Sequence, residues 1–109
     1  MRTYILMSKA CPHGPSVVEV ASNIRSGPRS RQIWLEKVKA QCPDVKFVAH
    51  YALLGTWDFM DIYEAKDTEV AAKVSMLCSA CTSFQVESWT AIPADRAEAM
   101  AADIRSACD

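Results

Sequence analysis

A chain of 109 residues closes one hydrophobic core, not two. Half of it is apolar and 23% is charged, with the apolar residues spread along the whole length, which excludes disorder. Twelve basic and thirteen acidic residues leave a net charge of -1, so there is no electrostatic footprint for nucleic acid or an anionic membrane.

The first strand is predicted over residues 2–8, with Tyr4, Leu6 and Ser8 on one face and Ile5 and Met7 on the other. Cys11-Pro12-His13-Gly14-Pro15 then reads as a fixed loop. Residues 16–25 read as a short helix, broken at Ser26-Gly27-Pro28, and a second helix starts near Pro28. Ile33, Trp34, Lys37, Val38 and Gln41 share one stripe of that helix, with Leu35 beside it. Arg25, Arg29, Arg31, Lys37 and Lys39 read as a solvated basic face. Cys42-Pro43-Asp44 ends it.

Val45 to Leu54 and Trp57 to Ala65 are two strands joined at Gly55-Thr56 as a hairpin. Asp67 or Thr68 caps the next helix, whose apolar stripe is Val70, Val74, Leu77, Cys78 and Cys81. Phe84 to Ile92 is the fourth strand. Pro93 opens a last helix, with Ala94, Ala97, Met100, Ala101 and Ile104 in phase. The order strand, helix, strand, strand, helix, strand is the ferredoxin-like split βαβ pattern: an α+β fold with a four-stranded antiparallel sheet and helices on one face. Residues 1–93 form the domain and 94–109 a C-terminal helical extension.

Both faces of the predicted hairpin are apolar, although a sheet covered on one side is expected to be polar on the other. A partner subunit packed sheet to sheet, or the C-terminal helix, would cover the second face.

Leu54-Gly55-Thr56-Trp57-Asp58-Phe59, followed by Glu64-Ala65-Lys66-Asp67, resembles the core signature of the GYD-domain family. The opening Thr3-Tyr4-Ile5 and the loop Cys11-Pro12-x-Gly14 are similar to that family's first strand and following turn. The resemblance covers most of residues 2–92. It implies a ferredoxin-like protomer that pairs as a dimeric α/β barrel, forming a homodimer or a larger homo-oligomer, and it implies no particular chemistry. Trp57 stands where the family has tyrosine, and Cys11 where it usually has threonine.

Five cysteines are an excess for a chain with neither a signal peptide nor a membrane span, which is expected in the reducing cytoplasm. The topology brings the Cys11 loop next to the end of the helix bearing Cys78-x-x-Cys81, two residues on one helical face. Cys11, His13, Cys78 and Cys81 make a donor set suited to zinc or an iron–sulfur cluster. The leading expectation is therefore metal or cluster binding, with electron transfer to a redox partner protein, redox sensing or metal handling as the role. Cys42 of a partner subunit is an alternative fourth ligand. Thiol–disulfide exchange from Cys11 and plain core packing are the competing readings of the same cysteines. A second function class places a small organic ligand in the barrel cavity, held by His50, Asp61 and Tyr63 with Trp57 over its mouth. A histidine so placed is more often a satisfied interface residue, and Asp58 more often a cap on the hairpin. A third reading is an oligomerising module without chemistry.

Overall fold

The computed structural model describes residues 1–10, 17–82 and 84–108. The elements are β1 (Arg2–Ala10), α1 (Val17–Gln41), β2 (Lys46–Ala52), β3 (Phe59–Ala65), α2 (Thr68–Cys81), β4 (Phe84–Ala91) and α3 (Ala94–Cys108). All strand pairs are antiparallel, in the order β2-β3-β1-β4, which is the expected ferredoxin-like sheet.

Two expectations are corrected. α1 is one helix of 25 residues and does not break at Ser26-Gly27-Pro28. Pro28 removes one N–H from the backbone ladder, but a single lost bond does not stop a helix whose later turns are anchored in the core. Within the predicted stripe only Trp34 and Val38 are buried, whereas Ile33 is 42% exposed. Residues 34 and 38 are one turn apart and set the buried seam, and Ile33 falls outside it.

Tyr4, Leu6 and Ser8 face the helices, opposite Tyr63, Asp61 and Phe59 of β3. The core lies between this face and the two helices α1 and α2. Trp34 is its wedge: its ring meets Phe47 edge-on at 5.2 Å, and its indole N–H donates to the carbonyl of Val74 on α2 at 3.0 Å. α2 begins at Asp67, whose carboxylate accepts from the Val70 N–H at 2.9 Å, and it buries Ala71, Val74 and Cys78.

β2 carries the irregularity that shapes the site. Phe47 pairs with Tyr63, but Ala49 pairs with Ile62, so Val48 is an extra residue, a β-bulge. Strict alternation would put Phe47 and His50 on opposite faces. The bulge puts both on the helix side, and His50 pairs with Asp61.

The other sheet face carries Ile5, Met7, Met60, Ile62, Tyr51 and Trp89. Tyr51 is 53% and Trp89 43% exposed. The C-terminal helix does not cover this face, because no residue of α3 is buried. The radius of gyration is 16.3 Å, against about 13 Å for a compact chain of this length, as expected when α3 stands off the body.

Candidate functional site

One charged cluster interrupts the helix-side core. Asp61 sits in the middle of β3 and is 2% exposed. Its Oδ1 accepts from Arg31 Nη2 at 2.8 Å and Nε at 3.2 Å, and lies 2.9 Å from His50 Nδ1. Arg31 is three residues before Trp34 on α1, so it shares the face that packs on the sheet. His50 reaches the carboxylate from β2 because of the bulge, and its ring stacks on Phe59 at 5.5 Å. A buried carboxylate costs several kcal/mol unless its charge is balanced and its lone pairs are used. Here a guanidinium and an imidazole meet it from two different elements.

Ser8, Trp34, Cys78, Thr82 and Phe84 complete the wall of a small pocket around these three residues. Its free volume is about 10 Å³, room for about one water molecule. Thr82 ends α2 here, its hydroxyl donating to the Cys78 carbonyl at 2.6 Å and accepting from the Phe84 N–H at 3.1 Å.

Cys78 therefore lies in the pocket wall, but its chemistry is muted. Burial pushes its thiol up to about 11, the nearby Asp61 charge adds to this, and a hydrogen bond to Thr82 partly offsets it. At neutral pH it is a thiol, not a thiolate. Tyr63 is similar: burial raises its phenol to about 12, and its hydroxyl donates to the Ala71 carbonyl at 3.3 Å.

The metal and iron–sulfur reading is corrected on these grounds. Among the described residues no three His, Cys, Asp or Glu side chains come together to hold a metal ion. Cys78 faces the pocket wall and Cys81 is half-buried one turn later. Cys42, Cys78, Cys81 and Cys108 are free. Cys11 and His13 lie outside the described residues. The sequence placed Cys78 and Cys81 at the right end of α2, but helical spacing alone gives two donors, and burial gives Cys78 a packing role.

The enclosed organic-ligand reading is also not supported. His50 and Asp61 are together, but Tyr63 spends its hydroxyl on α2, and Trp57 lies under the Lys9 ammonium, 4.8 Å from its ring centre. The void beside His50 and Asp61 holds about one water, and neither Tyr63 nor Trp57 lines it. Arg31 was missed, because it was read as part of a solvated basic run. The signal for it was phase: it precedes Trp34 by three residues and Leu35 by four, on the seam that packs on the sheet.

The hairpin signature ends at this site, since Phe59 and Asp61 follow the Leu54-Gly55-Thr56-Trp57-Asp58 turn directly into the pocket wall. A family model described as GYD domain matches residues 16–101. The chain belongs to the GYD-domain family. No curated protein and no solved structure gives a significant match. No helix of this GYD domain is long and apolar enough to cross a membrane, among the described residues.

The two raised groups make the GYD domain sensitive to alkali. Between pH 9 and about 11 the unfolded thiol has ionised while Cys78 in the fold still holds its proton. Unfolding then releases a proton, and stability falls as pH rises. Tyr63 acts in the same direction between pH 10 and about 12. Each group is worth about 3 kcal/mol when its loss is complete. The urea midpoint is expected to be unaffected by these two groups between pH 6 and 8 and to fall steeply above 9. The Cys78→Ala variant loses the lower part of that fall.

Proposed function

We propose that this GYD protein functions as a self-associating unit of the cytoplasm, two protomers pairing sheet to sheet as a dimeric α/β barrel. The observation that carries this is the second sheet face. Ile5, Met60 and Ile62 are half-buried at its centre, and Tyr51 and Trp89 are exposed toward its margins. Antiparallel sheets turned to water are polar on that side, and a contiguous apolar patch marks an interaction surface. A two-fold pairing uses the same patch twice and needs no second partner species. Free cysteines fit a reducing compartment.

Light scattering during size exclusion tests it. The wild-type chain is expected to run at twice the chain mass or a higher even multiple. Ile62→Glu, which places a carboxylate at the centre of the face, is expected to run at the mass of one chain with an unchanged far-ultraviolet spectrum. A wild-type protein that runs as a single chain at micromolar concentration overturns the reading.

A further inference from the structure

We propose that α3 packs antiparallel against the α3 of a second copy, and that two such pairs join two sheet-paired dimers into an assembly of four chains. This rests on the sheet-to-sheet dimer and adds an interface outside it. The need for a cover lies in the helix itself. α3 runs for 15 residues and none of them is buried. Arg96 and Met100 border an open cleft beside Arg2 and Thr3, but the helix buries nothing in it. A lone helix of this length is marginal in water even when rich in alanine, so it needs a packed face to persist.

The shape of the apolar face points to a second copy of itself. Ala97, Met100, Ala101 and Ile104 recur at helical spacing along one side. Met100 is 47% and Ile104 63% exposed. Laid antiparallel about a two-fold axis between residues 100 and 101, two such faces set Ile104 against the partner's Ala97 and Met100 against the partner's Ala101. Each large side chain then meets a small one, which close packing requires. A parallel pair sets methionine on methionine and leaves the alanine layers unfilled.

The charges beside this face fit the same arrangement. Arg96 and Asp103 lie on one flank, and Glu98 and Arg105 on the other. Within α3 none of the four has an opposite charge three or four residues away, and none joins an ion pair among the described residues. Each flank changes sign along its length. In an antiparallel pair a flank meets the same flank of its partner reversed. Arg96 then falls beside the partner's Asp103, and Glu98 beside the partner's Arg105. Opposed helix dipoles favour this orientation too. One α3 pair offers far less area than the roughly 1,200 Å² of a stable interface, so it does not hold two single chains. A sheet-paired dimer presents two α3 helices, and the second pair closes at high effective concentration.

Light scattering during size exclusion reads the two interfaces separately. The wild-type chain is expected at four chain masses and Ile104→Glu, at an exposed position that the fold does not need, at two. Glu98→Arg sets like charges against each other and is also expected at two. Glu98→Arg combined with Arg105→Glu is expected to restore four, because the reversed charges match again in the antiparallel pair and clash in a parallel one. Wild type at two chain masses, unchanged by Ile104→Glu, overturns the α3 pairing and leaves the sheet pairing standing. A double reversal that stays at two chain masses overturns the antiparallel arrangement. Ile104→Glu at two chain masses with Ile62→Glu still at four retains the α3 pairing and rejects the sheet pairing.

Discussion

Replacing Trp34 by alanine is expected to lower the free energy of unfolding by about 4 kcal/mol, within the range for a large aromatic lost from a core. Trp34 is 2% exposed and touches both Phe47 on β2 and Val74 on α2. Its ring fills the space over Phe47, and its N–H satisfies the Val74 carbonyl across the helix pair. Alanine leaves a void against Phe47 and an unpaired carbonyl on α2, so the packing loss and the hydrogen-bond loss fall on the same site. A domain of this size holds only about 5–15 kcal/mol in total. The urea midpoint should fall by a third or more with little change in slope. Trp34→Phe should recover most of the packing but not the hydrogen bond, and so lie between the two.

Asp61→Ala is expected to cost about 3 kcal/mol, the figure for breaking a buried ion pair from one side. The loss comes from what remains: an Arg31 guanidinium and a His50 ring that lose their shared acceptor. Arg31 can turn partly toward water, which keeps the cost at the lower end. The double variant Arg31→Met with Asp61→Leu removes both charges and fills the space, and should recover most of the stability. If the single and double variants are equally unstable, the cluster is not held by charge pairing. Thermal unfolding of the wild-type protein and these two variants is sufficient to decide it.

The sequence revealed the fold more completely than the site. Alternation in β1 and β3, the Gly55-Thr56 turn, the Asp67 cap and the Val74–Cys78 stripe are local patterns, and each appears in the structure where its period places it. The second apolar sheet face was legible from the same alternation. Two kinds of feature were not. Pro28 acts as a break only if nothing downstream holds the helix, and the anchoring of α1 through Trp34 and Val38 is tertiary. The partnership of Arg31, His50 and Asp61 joins three elements 11 and 30 residues apart in sequence, and it depends on a bulge that periodicity cannot count. The cysteines misled for the opposite reason. Their spacing is a local pattern, and a single Cys-x-x-Cys is a weak one, whereas burial, a property of the whole fold, makes Cys78 part of the core.

The bulge at Val48 has a consequence for how chains of this kind can differ in length. A buried strand normally cannot lose a residue, since every side chain beyond the deletion changes sides. β2 already contains one residue more than its partner strand uses. Removing Val48 would leave Phe47 opposite Tyr63 and His50 opposite Asp61, with regular alternation between them. Beyond the bulge the same loss has the opposite effect: deleting Tyr51 moves Ala52 from its place opposite Phe59 to one opposite Met60. Strand β2 therefore has a point at which a deletion is silent, and it lies two residues before the histidine.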